Sequence, residues 1–182
     1  MKTFFRISLL AALLACGLAH ADDFRLVVEA GPDGRLAPAH YANVFGCNGG
    51  NVSPALHWSG APAGTRSFVV TMYDPDAPTG SGWWHWVVAN LPAASDHLAA
   101  AAGNGADSAL PAGARTIAGD NGAAAYLGSC PPVGQTHRYV FTVHALKVDK
   151  LDLPANATPA LVGFMAWANG LGKASVTLFG SR

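Results

Sequence analysis

No block of like charge breaks this chain. Its 11 Lys and Arg residues balance its 11 Asp and Glu residues. There is therefore no basic stripe of the kind that tracks a nucleic-acid backbone, and no polybasic patch to hold the chain on anionic lipid. Long apolar runs are also missing. The stretch from Ile7 to Leu18 falls short of the ~20 residues that a stable membrane span requires. Cys47 and Cys130 each stand without a neighbouring Cys or His at ligand spacing, so neither begins a zinc ribbon or finger. An HExxH helix and a His-x-x-x-His pair are absent, as is the Gly-x-Ser-x-Gly elbow of a serine hydrolase. No internal repeat and no second domain can be discerned.

The N-terminus has the layout of an export signal. Lys2 and Arg6 form a basic segment, an apolar core follows, and Ala19-His20-Ala21 supplies a small-x-small cleavage pattern. Residues 1–21 are thus expected to be a signal peptide, with 22–182 as one domain in the periplasm. The alternative is a lipoprotein: Leu13-Leu14-Ala15-Cys16 resembles a lipobox that would leave the chain anchored through Cys16. Cleavage after Ala21 removes Cys16 and leaves an even pair, Cys47 and Cys130. In an oxidising compartment such a pair favours a disulfide, the other reading being two buried thiols.

Local patterning predicts a chain rich in strands. Leu26–Glu29, Ser67–Tyr73, Trp86–Ala89, Tyr139–Leu146 and Val176–Phe179 are β-rich runs bounded by Gly, Pro and Asn. One helix is expected from Thr158 to Leu171, with Thr158 as N-cap, Pro159 in the first turn and Gly172 as the stop. The Ala- and Gly-rich stretch from Ala93 to Ala125 has no strong period and reads as a long irregular surface excursion. Spaced strands with few helices suit a mainly β, antiparallel sandwich.

The chemistry concentrates in two segments. Asp74-Pro75-Asp76-Ala77-Pro78 is followed by Trp84-His85-Trp86, and Pro131-Pro132-x-Gly134-x-x-His137-Arg138-Tyr139 comes later. Proline fixes its own φ and restricts its predecessor, so both aspartates sit on a loop with few alternative conformations. Spaced two apart, Asp74 and Asp76 would face the same side of an extended backbone. These two segments, in this order and with apolar strands between them, resemble the phosphatidylethanolamine-binding protein family, in its bacterial Raf-kinase-inhibitor-like branch. The resemblance runs from about Phe45 to near the C-terminus. It implies a large central sheet, a smaller sheet on one side and peripheral helices. It also implies a small pocket for phosphate or a phosphoryl head group, lined by Asp74, Asp76, His85, His137 and Tyr139, with backbone from Gly128 to Pro131 on the rim. In the family arrangement Cys47 and the loop carrying Cys130 both approach that rim, which supports pairing. The chain departs from the family at Ser129, where proline is frequent.

Carboxylates cannot hold phosphate directly, but they can orient imidazoles. Imidazole N–H groups, the Tyr139 hydroxyl and loop amides would then be the donors. Trp83, Trp84 and Trp86 could stack on a ligand, though such clusters more often pack. Asn51 and Ser53 are expected to bond backbone. The function expected is a binding protein rather than an enzyme, with no cofactor and no metal. The alternative is a metal-dependent hydrolase using the same Asp/His cluster. Expected partners are a small anion or phosphorylated head group and an unidentified protein, with a second copy of the chain as a further candidate and nucleic acid excluded.

Overall fold

The computed structural model describes residues 23–105 and 109–182. The expected signal peptide, with Cys16, lies outside the described residues. The mostly apolar segment Ser67–Asp74 forms β3. It is flanked in the sheet by β4 (Trp83–Pro92) and β7 (Thr136–Leu146), and these in turn pair with β6 (Arg115–Ile117) and β8 (Gly170–Ser181). This gives a five-stranded sheet ordered β6-β4-β3-β7-β8, in which every pairing is antiparallel. A three-stranded antiparallel sheet, ordered β1-β2-β5, is built from Arg25–Val28, Leu56–Ser59 and His97–Leu98.

The absence of polar alternation in Phe68-Val69-Val70-Thr71-Met72 has a structural reason: both faces of β3 are covered. Phe68, Val70 and Met72 share one core with Leu26, Val28, Leu56 and Trp58 of the small sheet. On the opposite face Val69, Val87 and Leu146 meet Val162 and Ala166 of α1 (Pro159–Asn169), the one α-helix among the described residues. Each of the Val, Leu, Phe and Met side chains among them contributes about 1.5–3 kcal/mol when fully buried. The Thr158 hydroxyl accepts a hydrogen bond from the Leu161 N–H at 3.2 Å, so the expected N-cap is formed.

Two expectations need correction. The helix stops at Asn169 with Gly170 as its C-cap, before Leu171 and Gly172. Those two residues are drawn into β8, whose Gly172 pairs with Ala145 of β7, because a ladder on a long neighbour satisfies more backbone groups than one further helical turn. The region from Ala93 to Ala125 is not wholly irregular: it supplies β5 and β6 and buries Leu98, Ala102, Leu110 and Ile117. Strands of two and three residues are too short to show a period. They exist because β2 and β4 offer them partners.

The sheet end that carries Asp74 is shaped by close backbone approaches. Gly82, at φ 72°, closes the β3–β4 turn, where a Cβ would lie 2.2 Å from the Tyr73 hydroxyl. Gly128 brings its loop against the Tyr41–Ala42 backbone, where a Cβ would come within 2.3 Å of the Ala42 nitrogen. Cys47 and Cys130 form a disulfide across these loops, with Cα atoms 5.9 Å apart.

Candidate functional site

The end of β3, the start of β4 and the start of β7 converge on a cavity of about 240 Å³. Asp74, His85, His137, Tyr139 and Gly128 line it, together with Trp83, Leu127, Ala77 and Pro78. Phe45, Thr79, Cys130 and Pro132 complete its walls. Its floor is buried: Tyr139 is fully so, and Asp74, His85 and His137 nearly so.

The aspartates do different things. Asp74 Oδ2 accepts from His137 Nδ1 at 2.7 Å, a buried carboxylate–imidazole pair. Asp74 Oδ1 accepts the Asp76 backbone N–H at 2.8 Å, because the chain turns at Pro75 instead of continuing extended. That turn sends the Asp76 side chain away from the cavity and onto Arg138, whose backbone N–H lies 2.8 Å from Oδ2 and whose Nη2 lies 2.6 Å from Oδ1. The Arg138 guanidinium holds the Asp76 carboxyl down from 3.8 to about 2. Asp76 therefore fastens the turn to β7 and is not among the lining residues. Pro131 is not among them either, and its neighbour Pro132 takes that place.

His85 is aimed by an irregularity in the ladder. Met72 pairs with Trp86 and Tyr73 with Trp84, which leaves His85 as an extra residue on β4. A bulge of this kind redirects a side chain and is frequent beside functional sites. His85 Nδ1 donates to the Leu127 carbonyl at 2.9 Å, and the ring meets Tyr139 edge-on at 5.3 Å between centroids. Burial lowers the pKa of His85, outweighing the Leu127 and Gly128 carbonyls and the Asp74 and Asp120 carboxylates, which favour its proton. Tyr139 is pushed well above the usual phenol range by burial and then by the Asp74 charge. Its hydroxyl lies beside Ser129 and the Cys130 backbone, but neither the Tyr139 nor the Ser129 hydroxyl makes a hydrogen bond of good geometry.

Loops supply the rest of the frame. Asn51 bonds backbone as expected: its Oδ1 accepts the Gly128 N–H at 2.8 Å, so that N–H is already used. The Ser53 hydroxyl accepts the Gly103 N–H at 2.9 Å. Ser129 is buried, and its N–H donates to the His40 carbonyl at 3.3 Å, a bond that proline could not make. Trp86 is buried against Tyr126 and Trp84 lies on Tyr73, so of the three tryptophans only Trp83 reaches the cavity. Sequence reasoning missed the Leu127 carbonyl and Gln135. The Gln135 side chain, which is exposed, meets His137 Nε2 at 2.8 Å. A glutamine two residues before a histidine gives no local signal of such a contact.

The sheet end thus gathers two buried imidazoles, a carboxylate and a phenol around one cavity of about 240 Å³. The family model described as "Phosphatidylethanolamine-binding protein" matches residues 29–179. Escherichia coli YbcL is 50% identical over 144 residues, which is 79% of each chain. YbhB of the same organism is 50% identical over 143 residues, 79% of this chain and 90% of YbhB. A crystal structure of E. coli YbcL, described as a new member of the mammalian PEBP family, superposes with a TM-score of 0.84. It covers 87% of this chain and 98% of YbcL at 46% identity. A Mycobacterium tuberculosis protein whose name offers it as a candidate lipoprotein, LppC, is 40% identical over 115 residues, 63% of this chain and 52% of its own. The chain belongs to the phosphatidylethanolamine-binding protein family.

Proposed function

We propose that this chain is an exported binding protein without turnover of its own, whose pocket holds a small anion such as phosphate or a phosphoryl head group. The carrying observation is the convergence of two buried imidazoles in one cavity: His137 is oriented by Asp74, and His85 is fixed through Nδ1 so that Nε2 is left for a ligand. Family membership supports binding as the activity. The volume of about 240 Å³ suits a head group rather than a drug-sized molecule. Among the described residues no group of three or more His, Cys, Asp or Glu side chains is arranged to hold a metal ion. The naming of LppC and the Ala19-His20-Ala21 pattern support export, as a free or lipid-anchored protein. Phe45, 68% exposed at the cavity wall, offers an apolar contact through which ligand occupancy could be read by a partner protein that this chain modulates.

Thermal unfolding in millimolar phosphate or phosphorylethanolamine tests the reading. Ligand at 100 times Kd adds about 2.7 kcal/mol to stability and raises Tm. His85→Ala and His137→Ala, each verified as folded by circular dichroism, should abolish the rise. A rise that survives both substitutions, or none in the parent protein, would defeat the proposal. Chromogenic phosphate, carboxylic-ester and peptide substrates should turn over only at background, and turnover lost with His85→Ala would argue for an enzyme.

A further inference from the structure

The cavity is an unusual place for a highly charged anion. No Arg or Lys is among its lining residues, and its one buried acid, Asp74, already accepts hydrogen bonds through both carboxylate oxygens. The hydrogen bond to the Leu127 carbonyl requires His85 Nδ1 to carry a proton, since a carbonyl oxygen only accepts. A neutral imidazole protonated at Nδ1 presents a lone pair at Nε2. Nε2 has no hydrogen-bond partner among the described residues, while Nδ1 is held at 2.9 Å. The groups around His85 are Asp74 at the end of β3, His137 and Tyr139 on β7, and Asp120 in the loop after β6, together with the Leu127 and Gly128 carbonyls. Burial outweighs the groups that favour a proton and keeps the ring neutral near pH 7. A ligand atom meeting Nε2 must therefore bring a hydrogen of its own.

We infer that the pocket takes its phosphoryl ligand in the singly charged, hydrogen-bearing form, with one P–OH donated to His85 Nε2. It therefore selects phosphomonoesters and free phosphate over phosphodiesters, which have no such hydrogen. This deepens the proposed anion pocket and rests on it. An intact glycerophospholipid head group is a diester, so the site discriminates against it in favour of a released phosphomonoester. The dianion is rejected because it offers only acceptors to an acceptor nitrogen in a poorly solvated cavity.

Isothermal titration at several pH values tests the inference with phosphorylethanolamine, inorganic phosphate, glycerophosphorylethanolamine and methylphosphonate. The second ionisation of a phosphomonoester lies near pH ~6, so its Kd should rise about 50-fold between pH 6 and 8 by loss of the monoanion. At pH 6 the diester glycerophosphorylethanolamine should bind at least about tenfold more weakly, the loss of roughly 1.4 kcal/mol. Methylphosphonate keeps its second proton to higher pH, and the midpoint of its profile should move up accordingly. The same midpoint for both ligands would place the titrating proton on the protein and overturn the inference, as would a diester that binds as well as the monoester. His85→Gln supplies a side-chain N–H, so the folded variant should show a flatter pH profile, and an unchanged steep profile would also count against it. Failure of every phosphoryl ligand to bind at any pH defeats the anion pocket itself, whereas binding without monoester preference defeats only this inference.

Discussion

Replacing Asp76 by Asn isolates the contribution of a residue that the family resemblance assigned to the pocket. In the native protein the Asp76 carboxylate accepts the Arg138 backbone N–H and two guanidinium nitrogens. Lowering its pKa from 3.8 to about 2 corresponds to an upper bound of about 2.4 kcal/mol at neutral pH, at 1.36 kcal/mol per pH unit. The Arg138 side chain is 54% exposed and that of Asp76 29% exposed. Solvent screening therefore reduces the expected loss to about 1 kcal/mol. The sign follows from linkage. The unfolded carboxyl takes up a proton below about pH 4, while the folded one resists until about pH 2. The stabilisation is thus fully present above pH 4 and is lost as pH falls through that window. Urea unfolding of the parent and Asp76→Asn should show about 1 kcal/mol between them at pH 7, about half of that near pH 3, and equal slopes at each pH. A double-mutant cycle with Arg138→Gln should assign most of the loss to the pair. Phosphate affinity should stay within a few-fold of the parent, since Asp76 is not among the lining residues. An equal cost at pH 7 and pH 3, or none at pH 7, would refute the ion-pair account.

Other outcomes follow from the same geometry. His85 and His144 are both lowered by burial, His144 to about 4; the unfolded chain binds protons below about pH 6.5 that the folded chain refuses, so stability should climb from pH 4 to 6.5 and His144→Gln should flatten part of that climb. Reducing the Cys47–Cys130 bridge, which spans 83 residues, should lower stability by about 4.5 kcal/mol on the chain-entropy model, measured as the urea midpoint with and without reductant; a change under about 1 kcal/mol would count against that model here. Tyr139→Phe removes a buried hydroxyl that makes no good hydrogen bond, so it should be near neutral for stability, and a loss above about 2 kcal/mol would show that the hydroxyl is satisfied in solution. Gly103→Ala places a Cβ 2.7 Å from the Trp86 ring and should cost about 1–3 kcal/mol by overpacking, read from thermal unfolding.

The mainly β class, the strands around Val70 and Phe141 and the Thr158 cap were legible in the sequence, because apolar runs, turn residues and caps are local signals that chain neighbours settle. The two motif segments likewise marked His85, His137, Tyr139 and Asp74 as candidates, and all four line one cavity. What local pattern could not carry was the partner of each group. Asp74 and Asp76 have the same spacing and chemistry in the sequence, yet one holds His137 and the other Arg138, because the turn at Pro75 separates them after β3 has ended. His85 is fixed by a carbonyl 42 residues away, through a bulge that exists only once β3 and β4 have chosen their register. The tertiary structure also decided that β5 and β6 form at all, since strands so short have no stability without a neighbouring edge. The sequence by itself determined which groups would be available and roughly where the strands would run. Hydrogen-bond direction, burial and the proton each group carries are set by contacts between distant segments, and only the assembled sheets decided those.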